Sequence, residues 1–384
     1  MQEPPFRFGQ VVSDEYFVGR AAEIASLTVD LRTATNVVLI SPRRFGKTSL
    51  VLRVLRALEH EGVLVAYVDL LRTPSKERFA SHLAAAVYHG LLGPGAQALQ
   101  RATEWFGQLR VRPKITLNQD GTPSFEFAGG APSQDVDATM EHLLEMPQTI
   151  ARERKRRVVI VFDEFQEVLE LDPSLPGVMR SVFQQQGEVA HVFLGSRQHL
   201  LRKVFADRHQ PLYRLARPMA LGPIEDAAFA PYIRERFAAG HSQITHDGIE
   251  TLLQLTGGQP NDTQELAHFT WVRAIAEGSP ATGETVQRAL REVVSAESAR
   301  FIVVWDNLSP LQRRVLSAAA HDDTRLYASE VRQRFQLGDP SGLQKALQRL
   351  SDLELIETVQ RGTYRVPDLF LRAWLRETSE PLHG

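Results

Sequence analysis

Three short clusters in this chain carry the residue types that phosphate chemistry needs: Gly46-Lys47-Thr48, Asp163-Glu164 and Gly195-Ser196-Arg197. Lys47 would reach the β- and γ-phosphates of a nucleotide, and the Thr48 hydroxyl would ligate Mg²⁺. Asp163 would hold the same ion through water, and Glu164 would polarise an attacking water as general base. Ser196 could orient that water. Arg197 could sense the γ-phosphate within its own subunit by stabilising charge on the phosphoryl oxygens, or be a plain surface arginine after a strand. The loop from Ser41 through Pro42, Arg43, Arg44, Phe45 and Gly46 to Ser49 would wrap the phosphates with backbone N–H groups at the positive end of a helix. Arg43 and Arg44 could meet phosphate, an acid of another domain or a neighbouring subunit.

These clusters need particular elements to hold them. Val37–Ile40 is a four-residue apolar run that reads as a buried strand, and Ser49–Leu58 has helical spacing. Strand, loop and helix in that order form the context a phosphate-binding loop requires. The pattern wants glycine at its first position, where this chain has Ser41. Serine enters positive φ less easily, so the departure is expected to bear on loop geometry and affinity. Val158–Phe162 is a second apolar run, and a carboxylate at the end of a buried parallel strand lies beside the neighbouring phosphate loop. Val63–Val68, Val189–Leu194 and Ala216–Leu221 complete a set of core strands. Arg208, Arg214 and Arg217 could act across a subunit boundary, and nothing in the sequence selects among them.

The long interval between Lys47 and Asp163 holds a helix over 75–92 and a hairpin over 111–128. In the hairpin Ile115 and Leu117 alternate, as do Phe125 and Phe127, around the turn Asn118–Gly121. It reads as an insertion at the edge of the nucleotide domain, serving either packing or a partner. A helix over 133–154 ends in the cationic run Arg152–Arg157, which suits a helix C-terminus. Upstream of the loop, residues 1–16 read as an extended arm. Phe17-Val18-Gly19-Arg20 then enters a helix over 21–33 and could cover an adenine face.

Beyond residue 222 the pattern turns helical. Helices near 225–238, 246–255, 262–277 and 282–300 fit a small lid, interrupted at Gly258-Gln259-Pro260. Pro260 could lie against the base or ribose, or mark only a helix-joining turn. Helices near 308–320, 328–336 and 341–352, followed by strands 355–359 and 363–366, read as a winged helix-turn-helix. Lys345, Arg349, Arg361 and Arg365 could contact DNA phosphates. Acids balance these bases, so protein docking stays open beside DNA. The expected domains are 1–222 for nucleotide, 223–300 for the lid and 301–384 for the winged helix.

Composition narrows the class further. The 384 residues are 43% hydrophobic and 23% charged, with net charge −2, as expected of two or three soluble domains. There is no cysteine, which excludes disulfides and cysteine-based zinc sites. No apolar run approaches the ~18–20 residues of a spanning helix, and a cytoplasmic protein without a membrane partner is expected. No His-Glu-x-x-His, Gly-x-Ser-x-Gly or Asn-Lys-x-Asp pattern is present.

In order, Phe17–Arg20 with Glu23, Ser41–Leu50, Phe162–Gln166, Gly195–Arg197, Gly258–Pro260 and the terminal winged helix resemble the archaeal-type ATPases. These are placed in the STAND branch of the AAA+ related P-loop NTPases. The resemblance covers nearly the whole chain. It implies an α/β fold with a five-stranded parallel sheet of order 5-1-4-3-2, a helical lid and a C-terminal winged helix folded near the nucleotide. It also implies ATP rather than GTP, Mg²⁺, Arg197 as a γ-phosphate sensor acting in cis, and a closed ADP state opening with ATP, often into homo-oligomers. Glu164 is retained, which favours hydrolysis. No large repeat domain is expected after the winged helix, which argues against a signal-receptor role.

Overall fold

The computed structural model describes residues 4–12, 14–321, 324–360 and 362–378. The chain divides into two compact units. One is Arg20–Gly222; the other joins the chain start through Gly19 to the stretch from Pro223 onward. Residues 4–19 therefore belong with the second half of the chain.

The first unit begins with α1 (Ala21–Arg32), β1 (Val37–Ile40), α2 (Lys47–His60) and β2 (Leu64–Asp69). Next come α3 (Lys76–Ala86), α4 (Ala96–Phe106) and the hairpin β3 (Lys114–Leu117) and β4 (Pro123–Glu126). It ends with α5 (Ser133–Arg154), β5 (Val158–Asp163), α6 (Val168–Leu171), α7 (Leu175–Phe183), β6 (Val189–Gly195), α8 (Gln198–Ala206) and β7 (Arg217–Ala220). The central sheet is ordered β2-β5-β6-β1-β7, with every pairing parallel. Counting only its own five strands, this is the expected order 5-1-4-3-2.

The apolar runs explain that sheet. β1 and β6 are buried throughout and β5 up to Phe162, as expected of parallel strands covered on both faces. β7 pairs only with β1, and its Pro218 is tolerated because an edge strand needs no donor on its free side. Arg217, at the start of β7, is ion-paired to Asp30 of α1. α2 buries Leu50, Val51, Val54, Leu55 and Leu58, one helical face. At the centre, His191 stacks on Phe183 with ring centroids 3.9 Å apart, and Phe162 and Phe193 lie beside it at 6.3 and 6.2 Å.

The insertion differs in detail from its sequence reading. The helix begun at Lys76 is α-helical only to Ala86, and Val87–Leu92 continue it as a π-helix. α4 was not anticipated, although Ala98, Ala102 and Phe106 bury one face at four-residue spacing. The hairpin forms as expected, with Ile115 opposite Phe125. Phe125 packs against Phe106 and Tyr88, at 5.1 and 5.4 Å between centroids, so one face of the hairpin is core.

The second unit contains α9 (Asp226–Ala239), α10 (His246–Thr256), α11 (Pro260–Glu277) and α12 (Gly283–Asp306). It continues with α13 (Pro310–Ala320), β8 (Thr324–Arg325), α14 (Ser329–Arg334) and α15 (Pro340–Asp352), then β9 (Glu357–Gln360), β10 (Thr363–Arg365) and α16 (Leu369–Thr378). The wing is a three-stranded sheet, β8-β10-β9, one strand more than the sequence suggested. α16 was not anticipated; it buries Phe370, Leu371, Trp374 and Leu375, and Trp374 meets Phe301 of α12. The expected boundary at residue 300 falls inside α12, a continuous 24-residue helix. The chain start is held here by Phe6, which packs edge-on against Phe237 at 5.5 Å. Arg236 also binds the Glu15 carboxylate at 2.8 Å. Among the described residues no helix is long and apolar enough to cross a membrane.

Candidate active site

The strand ends of the first unit gather the candidate residues. β1 pairs with β6 so that Ile40 lies level with Gly195, and β2 pairs with β5 so that Asp69 lies level with Asp163. The loop Ser41–Gly46, Asp163-Glu164 and Ser196-Arg197 therefore leave the same edge of one sheet. This is where an open parallel sheet presents its crevice.

The loop is built differently from the expectation for Ser41. Its left-handed residues are Arg44, at φ 66°, and Gly46, at φ 80°, and not Ser41, which is fully buried. The missing first glycine therefore places no serine in positive φ, and the loop's conformational demand falls on Arg44. Phe45 and Ser49 point inward at 6% and 7% exposure, while Arg43 and Arg44 are exposed. Lys47, at the first turn of α2, is buried and donates from Nζ to the carbonyl oxygens of Ser41 and Pro42, at 3.1 and 2.8 Å. Its ammonium thus lies within the curl of the loop.

The acidic pair is held from both sides. Asp163 Oδ2 lies 3.4 Å from the Thr48 hydroxyl and accepts a hydrogen bond from the Tyr67 phenol. Its Oδ1 accepts from the Glu164 N–H at 2.9 Å. Burial raises the Asp163 pKa above the ordinary carboxylate value. Burial, followed by the Asp163 charge, pushes the Tyr67 phenol well above its ordinary range, so Tyr67 remains a donor. Glu164 has left-handed backbone, φ 50°. Its Oε2 accepts from Gln166 Nε2 at 2.6 Å, from the Ser196 hydroxyl at 3.1 Å and from the Ser196 N–H at 3.3 Å. Arg43 Nε reaches the same hydroxyl at 3.5 Å.

The donors around Asp163 are oxygens, which suit a small hard cation such as Mg²⁺. A buried carboxylate whose charge is disfavoured gains from such a neighbour. Among the described residues no group of three or more His, Cys, Asp or Glu could hold a metal ion by itself. A cation at Thr48 and Asp163 would complete its shell with phosphate oxygens and water.

The remaining sequence candidates fall in different places. Arg197 ion-pairs with Glu170 at 3.0 Å. Arg20 is buried at 9% exposure, and its guanidinium binds Glu23 at 3.0 Å, the Gly222 carbonyl at 2.5 Å and the Phe45 carbonyl at 3.5 Å. Its bond to the Phe45 carbonyl ties it to the loop. Phe17, Val18, Gly19 and Pro260 belong to the second unit, where Gly19 and Gly258 both abut Ile224. Pro260 is the first residue of α11, with Gln259 capping the Asp262 N–H at 2.6 Å. Lys345 and Arg349 are exposed one turn apart on α15. Arg365 is ion-paired to Glu357 across the wing, and Arg361 lies outside the described residues. Sequence reasoning missed Tyr67 and Gln166. Tyr67 could have been found from its position two residues before Asp69 on a paired strand; Gln166 carried no separate signal.

Residues 17–266 match the family described as the ATPase domain predominantly from Archaea. The chain belongs to this family. It is an ATPase, and it binds nucleotide. Residues 299–377 of this archaeal-type ATPase match a probable winged helix domain. Its fold is similar to that of the Walker-type ATPase PABY2304 of Pyrococcus abyssi, at TM-score 0.67 and 18% identity, covering 97% of this chain and 99% of that one. It is similar too to the Aeropyrum pernix ORC2 protein in ADPNP and ADP complexes, at TM-score 0.53 and 15% identity, covering 97% and 98%. The A. pernix ORC1 protein in complex with DNA gives TM-score 0.50 and 18% identity, covering 96% and 95%. No curated protein sequence matches this chain.

Proposed function

We propose that the protein is an Mg²⁺-dependent, ATP-hydrolysing switch of the STAND/AAA+ type, in which the nucleotide held by the first unit controls the helical and winged-helix parts of the second. The observation that carries this reading is the meeting of Thr48, Asp163, Glu164 and Ser196 at one edge of the sheet, within the hydrogen bonds given above. In this reading the loop Ser41–Ser49 binds the phosphates, Lys47 turns from its carbonyl partners to the β- and γ-oxygens, and Thr48 and Asp163 hold Mg²⁺. The cation, when bound, neutralises charge on the phosphate oxygens. Glu164 takes the proton of the attacking water, and Ser196 orients that water. Arg197 exchanges Glu170 for the γ-phosphate. Phe17, Val18, Gly19, Arg20 and Pro260 are assigned to the base and ribose. Domain roles follow as nucleotide binding for 20–222, lid for 223–300 and winged helix for 301–384, with nucleotide-dependent homo-oligomers in the cytoplasm.

The test is Mg²⁺-dependent phosphate release from ATP. Glu164→Gln is expected to bind ATP with near-normal affinity and turn over at least a hundredfold more slowly. Wild-type turnover in Glu164→Gln would remove the general base from the scheme.

A second reading is a nucleotide-gated DNA-binding module with little hydrolysis. It is favoured by the exposed pair Lys345 and Arg349 on α15, within the winged-helix match. The solved A. pernix ORC1 complex includes DNA, which supports extending the idea to this chain. DNA affinity measured against salt and nucleotide decides it, since phosphate contacts release counterions. Affinity indifferent to salt would favour protein docking.

A further inference from the structure

We propose that the uncovered face of β2 is a binding site for an apolar chain ending in a carboxylate. Parallel strands are normally covered on both faces, and β1 and β6 are buried along their whole length. β2 alternates instead. Leu64, Ala66 and Val68 are buried, whereas Val65, Tyr67 and Asp69 are only half-buried. Those three residues line a cavity of about 840 Å³, within the range of small-molecule sites.

Its two walls are single helix faces. α2 contributes Leu52, Leu55, Arg56 and Glu59, at three- and four-residue spacing. The opposite wall is α3 with its π-helical continuation, from Arg78 through His82, Ala85 and Ala86 to His89. That wall is about three helical turns, roughly 16 Å long. α3 follows the Asp69 end of β2 in the chain, and Gly90 lies against Val65 near the other end. A Cβ at position 90 would sit 1.9 Å from the Val65 carbonyl oxygen, so helix and strand backbones meet there and close that end. The hairpin adds Pro123 and Phe125, both buried, which gives the insertion a part in the site.

The lining chooses the ligand. Leu52, Leu55, Val65, Ala85 and Ala86 make the interior apolar, and the two alanines leave room for a chain. Arg78, in the first turn of α3, is exposed, and its guanidinium has no hydrogen bond or ion pair among the described residues. His82 follows one turn along the same face. Asp69 stands at this end too, but its Oδ1 already accepts from the Leu71 N–H at 3.0 Å. On the other wall Arg56 shares a turn with Glu59, and that region is neutral overall. A carboxylate therefore belongs at Arg78 and His82, where charge-assisted hydrogen bonds are strong. Its chain runs past Leu55 and the alanines toward Gly90. Tyr67 lines the same cavity while its phenol bonds Asp163, so an occupant touches a side chain of the candidate active site.

The experiment titrates the full chain, without nucleotide, with octanoate, decanoate, decanol and decylamine by calorimetry below their micellar concentrations. Saturable one-to-one binding of decanoate is expected. It should be about fifteenfold tighter than that of octanoate, since each buried CH₂ is worth about fourfold. Decanol and decylamine should bind at least about tenfold more weakly, and Arg78→Gln should weaken decanoate by about the same factor. Ala85→Trp fills the trough and should abolish binding, with thermal melting as the check that both variants are folded. No saturable binding of decanoate overturns the proposal. Decanol or decylamine binding as tightly as decanoate overturns the carboxylate, as does unchanged decanoate affinity in Arg78→Gln. Unchanged affinity in folded Ala85→Trp overturns the location. Because nucleotide is absent throughout, each result stands apart from the ATPase reading.

Discussion

The two units handle their polar groups in opposite ways. In Arg20–Gly222 the core strands β1, β5 and β6 are buried and largely apolar, and polar groups gather where they end. Backbone N–H groups and carboxylates there lack strand partners and turn to one another: Lys47 to loop carbonyls, Glu164 to Ser196, Asp163 to Tyr67. The second unit caps five of its helices with side chains. Thr245, Gln259, Thr282, Ser309 and Asp339 each accept a helix N-terminal N–H. Helix capping of this kind consumes polar groups locally, whereas a parallel sheet exports them to one edge. That is why the candidate catalytic groups gather at one sheet edge of the first unit.

The contrast is sharpest at Lys47. Lys47→Ala is expected to lower Mg²⁺-dependent ATP hydrolysis at least a hundredfold while leaving the melting temperature within a few degrees, checked by phosphate release and calorimetry. Loss of folding instead would mean that the lysine is a core residue of the loop and not its reacting cation. Next is Gly195→Ala, where the methyl would lie 3.0 Å from Leu201 Cδ1. Overpacking at the buried strand end should cost about 2–3 kcal/mol in denaturant melts; a neutral result would show that this edge is softer than its packing suggests.

His191 tests the apolar interior of the same unit. Burial alone holds its imidazole down to about 3 from the ordinary 6.5, and Nδ1 reaches Asn36 Oδ1 at 3.0 Å while Nε2 has no partner. The unfolded chain therefore takes up a proton that the fold refuses as pH drops below 6.5. Stability is full above that value and declines toward 3, by about 2 kcal/mol between pH 7 and pH 5. His191→Phe should flatten that part of the profile, and an unchanged slope would assign it to other groups.

For the second unit, replacing Lys345 and Arg349 by alanine should weaken any DNA binding about tenfold at moderate salt. The slope of log affinity against log salt should fall by about two. An unchanged slope would remove α15 as the phosphate-contacting helix. The smallest effect is expected from Tyr67→Phe, which takes one donor from Asp163 and should raise the Mg²⁺ requirement only about threefold. A change beyond a hundredfold would make the tyrosine part of the cation's shell.

Much of the first unit is legible in its residue order. The strand–loop–helix at Val37–Leu58, the acidic strand and the hairpin are local patterns of period two or 3.6, and local patterns survive in one dimension. α4 is obscured by the glycines and proline around Gly93–Gly95, which read as a loop. The third wing strand is only Thr324–Arg325, too short to show any period.

Sequence by itself determined the strand order and the winged helix through the family resemblance, and it named the candidate residues of the loop and of the acidic strand end. Tertiary structure alone decided which side chains answer one another. That Arg20 braces Phe45 and Gly222 follows from strands far apart in sequence lying side by side. So do the Tyr67 bond to Asp163 and the three donors on Glu164. A motif states which groups are present at a strand end. The register and crossovers that bring β2, β5 and β6 together set their distances, and a hydrogen bond exists only within a few tenths of an ångström.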